Sequence, residues 1–556
     1  MNLLLAASVW LTLAGHPQAT LQINVDSKTG DTISGEKDFK VTVDSPDSTP
    51  INQVEFYVGD ALEDTETSTP YIFPFDTIDQ PDGDVTVKFK AYSTQNKTVE
   101  KTLTLHIDNQ KSQGAPFHVK AGQADLTDEK YKEAISEGRI ALKLDSSSEG
   151  AKIVLARANL GLKVYDRAEK YAEDAVSQDA KNMPALDVLA DIDIHRAFST
   201  FSKSGTDQSD VVATIGDAFK AAVDARRELL NLQVDALGAP TDATLIKVAD
   251  AANQAERYSL TISTLLLKSQ NDPQNTKFTD RLAYAQLRSG RYQDALNTLT
   301  LAGSQGKMDA YGDALLALTD LQIGKPHESE IAIKNGIEDD PDNLGVRTAQ
   351  AFIALKQNKT SVLEGLATDL ARDQGQRASV NYFLMALDNR LQKYSEARKA
   401  FERAALTEPC YPDLYIEQAN NGLADAFGQA QDATARDRSL SLAKMYYQVA
   451  LTARPEAADA LAGLTTVYLL QKQIPDAVKY AAAAVAAAPD SATGHYALAA
   501  AYQASGRFNE AQVENAKAAQ LDPTGLQGRP LPAPLDLWRY LVTSGRIPVI
   551  SEPPQA

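Results

Sequence analysis

The residues with the best spacing for chemistry stand in DIDIHR, where Asp191 and His195 are four positions apart and so share one face of a helix. Two metal ligands, or a base with the carboxylate that orients it, would have this form. A metal site or a triad needs a third group, and the six histidines, at 16, 106, 118, 195, 327 and 495, are scattered. The pair reads as an ordinary polar helix face. Two acidic clusters, Glu63 with Asp64 and Glu66, and Asp79 with Asp82 and Asp84, raise calcium. Calcium takes six or more converging oxygens, and neither cluster has the spacing of a calcium loop, so both read as solvated acidic turns. The single cysteine, Cys410, lies in EPCYP and excludes an intramolecular disulfide framework or a cysteine-rich metal site. No phosphate-binding glycine loop, nucleophile elbow, dinucleotide fingerprint or zinc-protease motif occurs. The expectation is a chain with no catalytic, cofactor or metal residues.

Composition agrees with that reading. Among 556 residues, 55 Lys and Arg face 74 Asp and Glu, a formal charge of -19 that repels nucleic acid and anionic lipid. Residues 1–19, MNLLLAASVWLTLAGHPQA, hold a hydrophobic run too short for a membrane span and suited to a signal-peptide core. The expected location is therefore secreted, periplasmic or at the cell surface.

From Leu21 to Asp108 the pattern has period two, in LQINV, DFKVTV, QVEFYV, DVTVKFKAY and KTLTLHI, between turn signals such as TGD and QPDG. About 90 residues of this kind suit a two-sheet sandwich. Thr20 to Asp108 carries 17 acidic residues against 7 lysines. The stretches NQVEFYVGD, TPYIFPFDT and PDGDVTVKFKAYS resemble the bacterial immunoglobulin-like domains of secreted and surface proteins, through Val54, Phe56, Val58, Tyr71, Phe73, Phe75, Asp76, Asp82, Gly83 and Ala91. Phe75 stands where that family usually has tryptophan. Such modules serve as spacers or adhesive units.

The rest is periodic. Pro455, Pro489 and Pro523 are 34 residues apart, as are Ala477 and Ala511, while Pro273, Pro341 and Pro409 are separated by twice that step. Each period carries two helical patterns, joined in two copies by SGRYQDA and SGRFNEA. The pattern resembles the tetratricopeptide repeat, through Leu498, Ala499, Tyr502, Ala511, Ala518 and Pro523 in the last copy, and Leu155, Ala156, Ala168 and Ala175 in an early one. Small residues there let helices approach, and each pair needs a neighbour to cover its open apolar face. The alanines and Phe508 read as core. The period breaks twice, at FSTFSKSGTDQSD, read as an inserted loop, and at ADAFGQAQDATARDR, read as a longer helix or a loop.

The expected chain is thus a small all-β immunoglobulin-like sandwich followed by an all-α tetratricopeptide-repeat superhelical solenoid. Residues 1–19 form the signal peptide, 20–109 the sandwich, 110–125 a linker, 126–523 ten to twelve helix pairs, and 524–556 a proline-rich tail whose LDLWRYLV, with Trp538, caps the last pair. The resemblance implies a concave groove lined by each first helix, with Tyr284, Arg288, Tyr382, Asn389, Arg390, Tyr496 and Gln503 as candidate contacts. The reading is a non-enzymatic scaffold for a protein or peptide partner at the bacterial envelope or outside the cell. Its alternative is a carbohydrate-binding or polysaccharide-assembly component that takes cell-surface glycan. Sequons at Asn96 and Asn358 bear only on a eukaryotic secretory route.

Overall fold

The computed structural model describes residues 21–523 except 46–47, 204–208, 307, 358, 376 and 429–431. The expected signal peptide and the expected capping segment both lie outside the described residues. The chain divides into two compact units, one ending at Gln178 and one beginning at Asp179.

The first unit opens with eight strands: β1 (Gln22–Val25), β2 (Thr32–Ile33), β3 (Glu36–Asp44), β4 (Ile51–Val58), β5 (Ala61–Glu66), β6 (Tyr71–Asp76), β7 (Gly83–Ser93) and β8 (Thr98–Ile107). They form a three-stranded sheet, β1-β3-β6, and a five-stranded sheet, β2-β8-β7-β4-β5. The period-two pattern puts one apolar set from each sheet inside. Phe39, Phe56, Phe73 and Phe89 are fully buried and Phe75 nearly so, with Phe56 and Phe89 stacked at 5.2 Å and Phe39 edge-on to Phe89 at 5.4 Å. Phe75 fills the site where the resemblance expected tryptophan, 5.9 Å from Phe56.

Helices follow sooner than expected. A 3-10 turn at Lys111–Gln113 leads into α1 (Ala115–Thr127), paired with α2 (Tyr131–Leu144), and then α3 (Glu149–Gly161) with α4 (Tyr165–Gln178). The span 110–125 is therefore mostly the first helix of the array rather than a linker. Its start is fixed by Asn109, whose buried side chain accepts from the Gly35 amide at 2.9 Å and donates to the Thr77 carbonyl at 2.9 Å. Asp82 accepts the Asn109 and Lys111 amides at 3.1 and 3.2 Å. Arg139 of α2 forks to Glu36 and Asp76, and Lys143 reaches Asp79 at 2.8 Å. The acidic cluster considered for calcium thus holds the sandwich to its first helix pair, while Asp84 meets His106 at 2.9 Å.

Among the described residues the second unit holds nine more pairs: α5 (Met183–Lys203) with α6 (Ser209–Ala236), α7 (Leu245–Gln254) with α8 (Tyr258–Asn271), α9 (Thr276–Arg288) with α10 (Tyr292–Gln305), α11 (Ala310–Gln322) with α12 (Pro326–Asp339), and α13 (Leu344–Lys356) with α14 (Thr360–Gln374). After these come α15 (Ala378–Arg390) with α16 (Tyr394–Thr407), α17 (Pro412–Gly428) with α18 (Ala433–Ala453), α19 (Ala458–Leu470) with α20 (Ile474–Ala487), and α21 (Ala492–Ala504) with α22 (Phe508–Leu521). The repeat alanines Ala168, Ala295, Ala477, Ala484 and Ala518 are fully buried. Phe508 is not core but 67% exposed, like Tyr394, which opens α16 at the same register and is 62% exposed.

Two repeated devices set the turns. Within pairs, one residue takes a left-handed conformation at Glu129, Lys163, Glu256, Gly290, Gly324, Gln392, Lys472 and Gly506, often at the 34-residue step. The glycine of the SGR segments is this residue. Between pairs, the fourth residue of a first helix reaches the carbonyl six residues back, which the chain reversal leaves without a helical partner. Thr279 donates to Pro273 at 3.1 Å, Asn381 to Gly375 at 2.9 Å and Tyr415 to Pro409 at 2.8 Å, and His495 Nε2 lies 3.0 Å from the Pro489 carbonyl oxygen.

Nothing lies within 4 Å of a Cβ added at Gly506, whose φ is +79°. Gly506→Ala is therefore expected to lower stability through backbone strain alone, by about 1 kcal/mol. The reverse change at the equivalent turn between α15 and α16, Gln392→Gly, should raise the urea midpoint, read by far-UV circular dichroism.

Candidate functional site

The two breaks in the repeat find their explanation in the second unit. Phe198–Lys203 is helix rather than inserted loop, and both breaks lengthen helices: α5, α6, α17 and α18 have 21, 28, 17 and 21 residues against 13 or 14 in the regular pairs. The long pairs meet. Phe219 of α6 packs 5.7 Å from Tyr415 and 6.1 Å from Tyr446, and Phe198 of α5 packs 5.4 Å from Phe401. At Gly216 a Cβ would stand 2.6 Å from Met445, so the glycine is what lets α6 approach α18. Farther on, a Cβ at Gly290 would stand 2.6 Å from that of Ala488.

Charge completes this closure. Arg288, at the end of α9, gives Nη2 to Asp413 of α17 at 2.6 Å and to Glu256 at 3.5 Å, and its Nε to the Tyr258 hydroxyl at 3.2 Å. Glu256 also accepts from Arg454 at 2.9 Å, and Arg227 donates to the Thr452 carbonyl at 2.6 Å. The Arg288 and Asp413 side chains are each 2% exposed. Burial alone would favour a neutral guanidine, but the charge of Asp413, joined by Tyr258 and Glu256, holds Arg288 protonated. Nearby, burial pushes the Glu408 carboxyl up to about 7, with the Glu256 charge adding to the rise and Arg226 and Arg288 opposing it. Burial also raises the Cys410 thiol well above its ordinary value, which leaves it a poor nucleophile.

The expected groove contacts must be read against this closure. Tyr284, Arg288, Tyr382 and Tyr496 are buried, so they are packing and ion-pair residues of the closed unit and not free groove surface. Tyr382, for example, has its ring tilted 5.8 Å from Tyr411 and edge-on 5.5 Å from Phe383. Asn389 is partly buried, its Nδ2 without a hydrogen-bond partner among the described residues. Gln503 is exposed, and the Arg390 side chain lies outside the described residues. Asp191 and His195 do sit on one helix, and Asp191 shares Arg226 with Asp187, at 3.4 and 2.5 Å. No group of three His, Cys, Asp or Glu able to hold a metal occurs among the described residues.

Sequence reasoning missed Glu256, Asp413 and Arg454. A faint signal existed: the residue before the repeat proline is Asp at 272, 340 and 522 but Glu at 408 and Arg at 454.

The outer surface is uneven. Apolar side chains are exposed at Ile331 of α12, Val362 of α14 and Tyr394 of α16, among charges such as Glu330, Lys334 and Lys399. On the sandwich, Tyr57 and Tyr92 hydrogen-bond Glu55 at 2.6 and 2.8 Å, but Lys88 and Lys90 sit over their rings at 4.6 and 5.3 Å, so neither ring is a bare platform for a sugar.

Residues 23–114 match the bacterial Ig domain family. No curated protein matches the chain. Among solved structures, the fibronectin(III)-like modules of Clostridium thermocellum CbhA are similar at 24% identity, covering 16% of this chain and 94% of that one, with a TM-score of 0.14. Yeast Tom70 is similar at 12% identity over 74% of this chain and 92% of that one, TM-score 0.32. The APC/C hetero-tetramer Cut9-Hcn1 is similar at 14% identity over 76% and 95%, TM-score 0.35. The architecture, an Ig-like sandwich followed by a long series of paired helices in the manner of a helical-repeat solenoid, is read from the chain's own elements.

Two outcomes test the closure. Arg288→Ala should cost about 3–5 kcal/mol by leaving Asp413 buried and unpaired, whereas Arg288→Met with Asp413→Leu should cost much less; urea denaturation separates them. The folded chain holds the Glu408 proton from its ordinary 4.5 up to about 7, so this contribution to stability is present below 4.5 and lost as pH rises through about 7. Glu408→Gln should therefore raise the melting temperature more at about pH 8 than at about pH 5.

Proposed function

We propose that this chain is a non-enzymatic protein-binding scaffold of the bacterial cell envelope or exterior, built from an immunoglobulin-like module and tetratricopeptide-type repeats. The observation that carries the reading is how the second unit uses its reactive groups. Arg288, Asp413, Glu256 and Arg454 bind one another across the closure, and Cys410 is buried. These groups fix helices in place, and what faces solvent on α12, α14 and α16 is an apolar residue on each helix with charges around it. An apolar centre with a polar rim is the anatomy of a surface that binds another protein reversibly.

The tetratricopeptide assignment is supported by the 34-residue step of the prolines and by left-handed turn residues that keep it, such as Glu256, Gly290 and Gly324. The location is supported by the bacterial Ig domain match over 23–114 and by the hydrophobic run at the start of the sequence. Because Tyr284, Arg288, Tyr382 and Tyr496 are buried, the reading places partner contacts on the outer surface rather than at these first-helix residues.

The test is crosslinking of the tagged full chain in a bacterial host, with mass spectrometry of envelope, secreted and cytoplasmic fractions, beside an Ile331→Lys, Val362→Lys variant of unchanged melting temperature. A protein set from envelope or secreted fractions that the variant loses is the expected result. Retention of glycan without protein would replace the reading with carbohydrate binding, and recovery confined to the cytoplasm would remove its location.

A further inference from the structure

We infer that Asp280 and Asp309 share one proton across the junction of α9 with α11, so that acid holds this junction closed and rising pH loosens it. Asp280, the fifth residue of α9, is 2% exposed, and its Oδ2 has no hydrogen-bond partner among the described residues. Asp309 caps α11, where its Oδ1 accepts the Gly312 amide at 2.8 Å. The two carboxyl groups crowd one place: a Cβ added at Gly312 would stand 3.3 Å from Asp280 Oδ1 and 3.4 Å from Asp309 Oδ1. They are hydrogen-bonded to each other. An ionised carboxylate only accepts, so a bond between two carboxyl groups needs a proton on one of them.

The neighbouring cation is committed elsewhere. Arg281 turns to α7, where its Nε and Nη2 bind the two oxygens of Asp250, and its Nη1 meets the Lys277 carbonyl at 3.1 Å. The other titratable group facing Asp280 is Tyr311 at the start of α11, itself buried and packed beside Gly345 of α13. Among the described residues α8 and α10 bring none to it. An ionised Asp280 would thus be a buried charge beside a second carboxylate, the arrangement in which one of two acids keeps its proton. Burial pushes the Asp280 carboxyl well above its ordinary range, with Asp309 adding to the rise and Arg281 opposing it. Because Asp309 accepts as the cap of α11, Asp280 is the donor of the pair.

The folded chain therefore holds a proton that the unfolded chain releases near the ordinary 3.8. Its contribution to stability is complete below that value and is lost as pH rises through the raised one. Once the proton has left to water, two like charges face each other in a buried junction between the first helices of neighbouring pairs. Arg288 lies on the same helix about two turns on, so the seat of α9 against α11 also bears on the Asp413 ion pair that closes the second unit. Glu408 is a separate buried acid of that closure, with its own titration.

The experiment is urea denaturation of the full chain from about pH 4 to about pH 9, in a Glu408→Gln background, for the parent, Asp280→Asn and Asp309→Asn. An asparagine at either position supplies an N–H donor that does not titrate, and at 309 it still caps α11. The expected result is a urea midpoint that falls with rising pH more steeply in the parent than in either variant. A merely structural role would displace the curves and leave them parallel, which overturns the proposal. The parent gives a second readout by itself, whether or not a variant folds. Hydrogen exchange, corrected for its intrinsic pH dependence, should show protection of α9 and α11 falling as pH rises while that of α21 and α22 holds. Protection of α9 and α11 that pH leaves unchanged, or that falls equally in α21 and α22, overturns the proposal as well.

Discussion

Arg288 cannot be buried alone. A guanidinium with 2% exposure loses its hydration, and the Asp413 carboxylate at 2.6 Å, with Glu256 and the Tyr258 hydroxyl beside it, offsets that loss. Those partners come from α17, from the turn between α7 and α8, and from the start of α8, so satisfying one side chain brings α9 against a helix 125 residues away in sequence. Glu256 repeats the move toward Arg454, over 198 residues. The closed form of the second unit is thus written into a small buried network, and the aromatic contacts of Phe198 with Phe401 and of Phe219 with Tyr415 add to the same closure.

Closure changes what the inward face is for. In an open array of helix pairs, tyrosines and arginines on the first helices are available to a ligand. Here the long pairs α5–α6 and α17–α18 press together, and Tyr284, Tyr382 and Tyr496 become core. Exposed apolar residues lie elsewhere, at Ile331, Val362 and Tyr394 on α12, α14 and α16 and at Leu266, Leu267 and Leu301 on α8 and α10. The same logic acts in the first unit on a smaller scale. Acidic side chains near the end of the sandwich, Asp76, Asp79 and Asp82, engage Arg139, Lys143 and the amides of Asn109 and Lys111, leaving no free acidic pocket among them.

How far the fold was legible follows from the range of each signal. Strand alternation and the alanines of the 34-residue step report local geometry, and Phe56, Phe89, Ala295 and Ala484 are buried where those patterns put them. The first helix was misjudged as linker because its anchor, Asn109 with Gly35 and Thr77, is assembled from residues up to 74 positions apart. Phe508, read as core, opens α22 as Tyr394 opens α16, and both are largely exposed, because the repeat step fixes a register and not the cover each residue receives. Tyr284, Arg288, Tyr382 and Tyr496, expected as groove contacts, lie buried on first helices.

By itself, then, the sequence determined what local periodicity can encode: a sandwich, a run of helix pairs, their turns, and an acidic surface without a catalytic motif. Which faces meet was decided only by the tertiary structure. Helix length at the two breaks, the small Gly216 against Met445, and the pairing of charges across 125 to 198 residues act together, and no single window of sequence holds more than one side of any such contact.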